Sequence, residues 1–443
     1  MASSVDPDVR RAAPARRTFI PPKIKRGAAF LVSWEIWPVA ALTAGAIASE
    51  RLLLLALILA ALFWPLRWLA HGRLSARTPA DLSLLLLVLM LPVTLWATAL
   101  PAVTRPQAAR LLLGIALFYA LANWADSLPR LQLAAFGLAL AGFGLAGLAT
   151  FSVAWPSDKL PFIPAGLYEY FSNRLGDSVH PNVMAGYLVV LLPVGLALLL
   201  FAWRALRWPA RLGLAFVALA TTAMLLLTKS RGAWMAFAAV LLLLAILRWK
   251  WGWLALPAAG VAAFALVSRL GLGAVLETLS TSGAVNGIDG RVEIWSRAIY
   301  MIQDFPFTGI GMGSFGKVAD LLYPFFLASP GSIPHAHNLF LQVAVDLGLP
   351  GLIAWLSVFG LVVYSAWRVY RVGRRSGDGW AAALGAGLLC SQLALGVHGL
   401  FDAVTWGMVR PAPLIWAIWG LALAAGNFYL GRPITGKDGE TQS

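Results

Sequence analysis

The sequence predicts an all-α polytopic membrane protein with about twelve transmembrane helices. Of its 443 residues, 60% are hydrophobic and only 12% are charged, whereas about a quarter of the residues of a soluble domain are charged. Apolar runs of about 20 residues, the length that crosses a hydrocarbon core of roughly 30 Å, recur along the whole chain. These runs do not alternate apolar with polar residues, so they do not indicate membrane-spanning strands.

The chain divides into a basic tail, a transmembrane region and a short polar tail. Residues 1–27 are rich in arginine and lysine, and we expect them in the cytoplasm. A basic lead of this length is long for a signal peptide, so the first span is predicted to stay uncleaved. Residues 28–430 form the transmembrane domain, and residues 431–443 form a cytoplasmic tail. The predicted span cores are 28–48, 52–69, 80–100, 108–125, 130–154, 182–203, 209–228, 232–248, 251–268, 339–367, 380–401 and 411–430.

Two connections between spans are long, and the charge pattern places both on the outer side. The smaller covers residues 155–181 and the larger covers residues 269–337. With the N-terminus inside, most lysine and arginine residues fall in short inner loops, as the positive-inside rule requires. Topology therefore explains the net charge of +15, which does not indicate nucleic acid. An even number of spans returns the C-terminus to the cytoplasm, and the two long loops face the periplasm of a Gram-negative cell.

Several kinds of chemistry are absent from the sequence. Cys390 is the only cysteine, which excludes an intramolecular disulfide and a cysteine-rich metal site. The five histidines include no HExxH pattern, so no dedicated metal site is expected. Gly309, Gly311 and Gly313 are not followed by the Lys-Ser/Thr pair of a nucleotide loop. We therefore expect no cofactor.

The segment from Thr228 to Trp234 places two basic residues at the outer junction of the seventh and eighth spans. Arg231 lies near the start of the eighth span, where a guanidinium can bind two phosphate oxygens. Lys229 is a second candidate for binding an anion. Alternatively, both side chains reach lipid headgroups from a turn that Trp234 anchors in the aromatic belt.

A second basic segment runs from Asp289 to Ala298 in the larger loop. Arg291, Trp295 and Ala298 fall on one face of a predicted helix. The segment leads to the glycine-rich turn at 309–313, where the absence of side chains permits a close approach. The alternative is an amphipathic helix that lies on the bilayer.

The sequence His335-Ala336-His337-Asn338 joins the larger loop to the tenth span. If the segment is extended, both histidines point the same way, and if a helix begins near His337, they diverge. A neutral imidazole can accept a proton from a hydroxyl near neutral pH, and nearby arginines would keep it neutral. The alternative is a structural histidine at the membrane surface.

Acidic and polar residues near the outer ends of the spans complete the set of candidates. Asp346 lies about two turns into the tenth span, and an acid at that depth needs a partner. Asp402 ends the eleventh span, where it could orient a histidine or pair with Arg410. In the smaller loop, Arg174 precedes a His-Pro-Asn sequence, and Asn182 is predicted to cap the sixth span.

Together these residues predict an outward polar cavity lined by arginine, histidine and asparagine. Such a site suits a substrate that carries its own activation, for example a sugar on a lipid diphosphate. The arginines would hold the diphosphate and stabilise the charge that develops as it leaves. A histidine would deprotonate the acceptor hydroxyl.

Three motifs resemble those of the O-antigen ligase and polymerase superfamily, over a region from about Arg174 to Asp402. They are Ser230-Arg231-Gly232, the Arg291 to Trp295 segment that continues to Pro306 and Gly309-x-Gly311, and His335-Ala336-His337-Asn338 followed by Gly348-Leu349-Pro350-Gly351.

The resemblance implies a GT-C-type glycosyltransferase that inverts configuration and needs no metal or other cofactor. The donor would be an undecaprenyl-diphosphate-linked O-antigen. A ligase would transfer this glycan to lipid A–core oligosaccharide in lipopolysaccharide biosynthesis. It further implies a multi-pass protein of the bacterial inner membrane, surrounded by lipid, with its active site facing the periplasm. We expect a monomer.

The same resemblance assigns roles to individual residues. His337 would be the catalytic base, Arg231 and Arg291 would bind the diphosphate, and Asp402 takes a place similar to that of a functional aspartate in the ligases. His335 could share the role of His337. The residues expected to contact substrate are His335, Asn338, Arg174, Lys229 and Trp295.

Ligase is preferred over the other activities of the superfamily. Protein O-oligosaccharyltransferases resemble longer chains with an extra C-terminal region, and polymerases share the motifs more loosely. A lipid or glycan transporter is an alternative from a different class. The charged candidates gather on one face and not at the midplane, which favours the enzyme.

Overall fold

The computed structural model describes residues 21–153, 170, 179–271 and 288–431. Most of both tails, most of the smaller loop with the candidate Arg174, and residues 272–287 of the larger loop lie outside this part. The described residues form fifteen α-helices, and their only β-pairing is an isolated bridge between Val153 and Val179. The helices are α1 (Pro22–Ser33), α2 (Ile36–Ala48), α3 (Leu53–His71), α4 (Asp81–Ala97), α5 (Pro101–Trp124), α6 (Leu128–Ser152), α7 (Pro181–Phe201), α8 (Trp208–Leu227), α9 (Arg231–Arg248), α10 (Ala255–Leu270), α11 (Ile288–Asp304), α12 (Phe315–Leu322), α13 (Leu339–Ser376), α14 (Gly379–Gly399) and α15 (Pro413–Leu430).

Each predicted span coincides with one helix, except that the first is a pair. Among the described helices, nine are long and apolar enough to cross a membrane, and α1 with α2, bent by 45°, makes a tenth. The shorter α4 and the arginine-containing α5 cover the two remaining predicted spans. The prediction of an all-α polytopic membrane protein is confirmed. The largest difference in bounds is at α13, which continues to Ser376, past the predicted end at residue 367.

A buried ion pair holds the break between α1 and α2. Glu35 lies at the break, and both it and Arg67 of α3 are only 1% exposed. Arg67 Nε donates to Glu35 Oε2 at 2.8 Å, and Arg67 Nη1 donates to the Leu74 carbonyl at 3.2 Å. The positive-inside rule would place Arg67 in an inner loop, but it belongs to α3. It lies inside the protein because a buried carboxylate needs a charged or hydrogen-bonding partner.

The centre of the bundle consists of α7, α14 and α15, whose residues are mostly buried, whereas α10 has no buried residue. Glycines permit the close contacts at this centre. Gly387 of α14 lies against α7, and Gly385 lies against α13. The first residues of α7, α9 and α13 meet the last residues of α14 at one end of the bundle, which we call the site end.

The glycine-rich turn after α11 docks onto a break in α13. Gly348 interrupts α13 with a φ of +70°, a conformation that favours glycine. The Leu349 N–H donates to the Pro306 carbonyl at 2.7 Å, and the Ile310 N–H donates to the Val345 carbonyl at 2.9 Å. The predicted close approach therefore joins two parts of the chain.

Gly309 shows why this contact requires a residue without a side chain. Its φ is +65°, and a Cβ there would lie 2.5 Å from the backbone carbonyl oxygen of Asp346. Gly311 and Gly313 follow in the same turn and lie against Thr98 and Gln107. The turn thus fixes the larger loop to α4, α5 and α13.

Candidate active site

His335, His337 and Asp402 form a cluster at the site end. The ring centroids of His335 and His337 are 4.2 Å apart, and His335 Nε2 lies 3.6 Å from Asp402 Oδ1. His335 and Asp402 are buried, and His337 is partly exposed. Because α13 begins only at Leu339, the two histidines do not diverge.

The backbone of His337 determines the tautomer of His335 and has an unusual conformation itself. The His337 N–H donates to His335 Nδ1 at 3.2 Å, so the proton of a neutral His335 is assigned to Nε2, which faces Asp402. His337 has a φ of +46°, in the left-handed region that a residue with a side chain rarely adopts. Such conformations cluster at functional sites.

Hydrogen bonds to α13 hold the histidine segment in place. Gln342 Oε1 accepts from the Ala336 N–H at 2.8 Å, and Gln342 Nε2 donates to Asp346 Oδ1 at 2.8 Å. The N–H of Gly313 and the indole N–H of Trp406 also donate to the Asp346 carboxylate, at 3.2 and 2.9 Å. Asp346 is thus partnered by three hydrogen bonds, and it links the glycine-rich turn to the histidines.

Asn338 caps α13 and ties it to the end of α14. Its Oδ1 accepts from the N–H groups of Phe340 and Leu341 at 3.0 and 3.1 Å, as an N-cap residue does. Its Nδ2 donates to the Leu400 carbonyl at 3.3 Å. A contact between Asn338 and substrate stays a prediction, because these bonds already use its amide atoms.

Asp402 lies in the turn after α14 and is oriented by its own backbone. Oδ1 accepts from the N–H of Ala403 at 2.8 Å and from that of Val404 at 3.3 Å. Of the two partners considered from sequence, the carboxylate has the histidine, His335. Arg410 instead donates to the carbonyl of Ala48 at 3.1 Å.

Arg291 of α11 reaches the same turn. Its Nη1 donates to the Phe401 carbonyl at 2.6 Å, and its Cζ lies 5.9 Å from the centroid of the Phe401 ring. Burial lowers the pKa of Arg291, and the negative charge of Asp402 counteracts this effect. A guanidinium stays protonated under these conditions, so a positive charge lies beside the histidine cluster.

The segment from Lys229 to Gly232 also lies close to Phe401. Lys229 is exposed and has a φ of +53°, and Arg231 is the first residue of α9, as predicted. A Cβ on Gly232 would lie 3.3 Å from the Cβ of Phe401. The beginning of α9 therefore packs on the ring beside Arg291.

Trp295 marks the buried face of α11. It is half-buried and packs against a small core under the larger loop that includes Ile294 and Ala298. Its indole Nε1 is buried and has no hydrogen-bond partner among the described residues. The helix therefore packs on the protein through this face and does not merely lie on the bilayer. A contact between Trp295 and substrate stays a prediction.

Part of the chain is similar to a known protein family. Residues 214–356 match the family described as O-antigen ligase. The middle of the chain is therefore similar to the O-antigen ligase family. This confirms the family resemblance, over a shorter range than the sequence motifs suggested, because Asp402 and Arg174 lie beyond the match. A search of curated proteins finds no match.

Burial is the largest influence on the pKa values of the two histidines. Burial, followed by the neighbouring His335 and Arg291, lowers the pKa of His337 to about 3, against the effect of Asp402. Burial also lowers the pKa of His335. Both histidines are therefore neutral at pH 7. Burial alone would raise the pKa of Asp402, but the imidazoles around it and the Ala403 N–H hold it below the ordinary value.

The sequence motifs did not indicate a role for His398. It lies one helical turn before Asp402 and is buried, and its Nδ1 has no hydrogen-bond partner among the described residues. Gly186 of α7 provides its space, since a Cβ there would lie 2.9 Å from His398 Cε1. The spacing of four residues between His398 and Asp402 on a helix end was the available signal.

His180 is a second histidine whose place the sequence did not predict. Its Nδ1 accepts from the Asn182 N–H at 3.2 Å and caps α7. The prediction that Asn182 is the cap is therefore wrong. Pro181 takes the first helical position, which makes the residue before it the cap. The charge of His180 also contributes to lowering the pKa values of His335 and His337.

The cluster could also hold a cation. The ligand atoms of His335, His337 and Asp402 all lie within 4.8 Å of one another. Imidazole nitrogen and carboxylate oxygen are ligands that Zn²⁺ accepts. Measurement of activity in the presence of a chelator tests the expectation of a metal-free site.

Proposed function

We propose that the protein is an O-antigen ligase that transfers a glycan from undecaprenyl diphosphate to lipid A–core oligosaccharide. The observation that carries the proposal is the cluster of His335, His337 and Asp402 with Arg291 beside it. The match to the O-antigen ligase family supports it, because the matched residues include the histidine block and both candidate arginines.

The proposed reaction is a direct displacement at the anomeric carbon. The acceptor hydroxyl oxygen bonds to this carbon while His337 takes the hydroxyl proton. The bond from the carbon to the diphosphate oxygen breaks, and its electron pair leaves with undecaprenyl diphosphate. Attack from the face opposite the leaving group inverts the configuration.

We assign the base to His337 because His335 has both ring nitrogens engaged. His335 Nδ1 accepts from the backbone, and Nε2 faces Asp402. Asp402 would keep the proton of His335 on Nε2. The ring of His335 would in turn pack against the ring of His337, whose centroid is 4.2 Å away. The metal-free mechanism follows from this assignment, since a base needs its lone pair for the hydroxyl proton.

Arg231 and Arg291 would bind the diphosphate. A guanidinium offers two parallel N–H donors to phosphate oxygens. Both arginine-bearing segments contact Phe401, which supports their convergence on one ligand. Lys229, which is exposed, would add positive charge around the donor. Arg174 of the smaller loop would do the same, and Trp295 and Asn338 would line the glycan path.

Binding of the donor would also raise the pKa of the proposed base, His337. In the free protein the pKa of His337, at about 3, is too low for efficient proton transfer at neutral pH. The negative charges of a diphosphate would offset those of the arginines and raise this pKa. His337 would become a stronger base only when the donor is present.

The proposal places the site end at the periplasmic face of the bacterial inner membrane, with both chain termini in the cytoplasm. Basic residues at the other ends of α9 and α13, including Arg248, Arg374 and Arg375, support this orientation. The transmembrane region would act as one ligase domain, in a monomer.

Polymerase and protein O-oligosaccharyltransferase activities would use the same donor and the same base with a different acceptor. A transporter would need access to the substrate from both faces of the membrane. The described cluster lies at one end of the bundle, which favours an enzyme.

The test is reconstitution of purified protein with undecaprenyl-diphosphate glycan and, separately, lipid A–core or lipid-linked repeat unit. Glycan on lipid A–core is the expected product. Lengthened lipid-linked glycan would replace the ligase proposal by polymerase, and transfer to neither acceptor would contradict both.

A further inference from the structure

A cavity of about 700 Å³ opens at the end of the bundle opposite the site end. Its walls come from the last residues of α7, α9 and α13, from the first residues of α14 and from the turn after α7. The opposite ends of these four helices form the site end. The cavity therefore lies about one span length, roughly 30 Å, from the histidine cluster.

Three arginines from three different elements line this cavity: Arg204 from the turn after α7, Arg248 from α9 and Arg374 from α13. No carboxylate in the described part of the chain lies within ion-pair distance of them. Asp378 also lines the cavity, but its Oδ1 caps α14 by accepting from two backbone N–H groups at 2.8 and 3.1 Å. The cavity therefore carries net positive charge.

Arg248 is held in a fixed position. Its Nε donates to the Leu200 carbonyl at 2.9 Å, and its Cζ lies 5.9 Å from the centroid of the Trp249 ring. Arg204 and Arg374 are exposed. One oriented guanidinium with two accessible ones at the rim can bind several oxygens of a single phosphate.

The remaining lining indicates a ligand with an apolar body. Leu199, Leu200 and Phe201, the last residues of α7, line part of the cavity. Trp203 and Trp249 lie at its rim and are exposed, as tryptophans are at the level of the lipid headgroups. Basic pockets between transmembrane helices at this level bind phospholipid headgroups.

We propose that this cavity binds the phosphate headgroup of an anionic membrane phospholipid, whose acyl chains extend from the cavity into the surrounding bilayer. The positive-inside rule alone explains arginines at this end of the bundle. That rule does not explain why three different elements each bring an arginine to one cavity. The acidic residue of this cavity, Asp378, accepts the hydrogen bonds that cap α14. The site is separate from the proposed transferase centre and takes a different lipid.

The experiment measures lipid binding to the full-length protein in neutral detergent, with phosphatidylglycerol as probe. Phosphatidylcholine tests the need for net negative charge, and glycerol phosphate tests the need for the acyl chains. We expect phosphatidylglycerol to bind at least about tenfold more tightly than either, a difference of ~1.4 kcal/mol. Equal binding of phosphatidylcholine, or equally tight binding of glycerol phosphate, would overturn the proposal.

A matched pair of double variants locates the site. Arg204→Gln with Arg374→Gln should weaken phosphatidylglycerol binding about thirtyfold, since one arginine near a membrane surface contributes roughly fivefold. Arg371→Gln with Arg375→Gln removes the same charge from α13, outside the cavity lining, and should change binding less than about threefold. Equal losses in the two doubles would show general charge attraction and refute the site.

A lysine pair keeps the test valid if the glutamine pair does not fold. Arg204→Lys with Arg374→Lys retains the charge and removes the planar guanidinium. Binding should still weaken severalfold. Unchanged binding in the lysine pair would contradict recognition of phosphate by the guanidinium groups.

Discussion

Replacement of His337 by asparagine isolates the proposed base from the backbone conformation that carries it. His337 has a φ of +46°, and asparagine tolerates this region better than other residues with side chains. Asparagine cannot accept a proton in the way that imidazole does. The His337→Asn variant should therefore fold like the parent protein and lose the chemical step.

The expected magnitude follows from the proposed role. A positioned general base contributes about 10²- to 10⁴-fold to the rate, which corresponds to roughly 2.7 to 5.5 kcal/mol in the barrier. The stability of His337→Asn should change by less than about 0.5 kcal/mol. His337→Ala should lose the same activity and in addition about 1 kcal/mol of stability, because alanine is less tolerated at positive φ.

The assay follows glycan transfer to lipid A–core under donor saturation, together with thermal unfolding of each variant in detergent. His71→Asn is the control, since His71 is an exposed residue at the end of α3. His335→Asn should lose less activity than His337→Asn, because it removes the support of the base and not the base. Transfer by His337→Asn within about threefold of the parent protein would refute the assignment, as would a larger loss in His335→Asn.

Four further outcomes follow from the structure. Arg231→Lys should lower kcat/KM for the donor by at least about tenfold, because one ammonium does not replace two parallel donors; a rate equal to that of the parent protein would make Arg231 a surface anchor. Activity should persist in the presence of a chelator. Added Zn²⁺ should inhibit, because it would bind the imidazole nitrogens of His335 and His337 and the carboxylate of Asp402; stimulation by Zn²⁺ would contradict the assignment of His337 as the base. Because the pKa of His337 is lowered to about 3, kcat/KM should not fall as pH decreases from about 7 to about 5, since the base stays neutral above its pKa; an acid limb near 6.5 would contradict this. Gly186→Ala should cost about 1–3 kcal/mol, because its Cβ would lie 2.9 Å from His398, whereas Gly147→Ala, where the space is open, should not destabilise.

The spans could be predicted from the sequence because the length of an apolar run is a local property. A segment of about 20 apolar residues crosses the membrane whatever its neighbours are. The histidine block and the two basic segments were also visible, because charged and polar residues at span ends are rare in so apolar a chain. Their meeting around Phe401 required the tertiary structure.

The partners of buried charges could not be predicted, because they come from distant parts of the chain. Arg410 was considered for Asp402 because it is near in sequence, whereas the residue beside the carboxylate is His335. Glu35 likewise pairs with Arg67, which is 32 positions away in the chain. Packing of helices selects these pairs, and the periodicity of a single helix contains no information about them.

The glycine motif and the histidine motif form one structural unit. The glycine-rich turn reaches Asp346 through the N–H of Gly313, Asp346 holds Gln342, and Gln342 holds Ala336 between the two histidines. Each link is a hydrogen bond between buried or partly buried groups, where loss of one partner leaves the other unsatisfied at a cost of about 1–3 kcal/mol. The break at Gly348 is the point where the turn docks, so the conformation of α13 inside the membrane region determines where His335 and His337 lie at its end. In the sequence, the glycines at 309–313 resemble a ligand-binding turn. In the structure they instead help to position the histidines that would carry out the reaction.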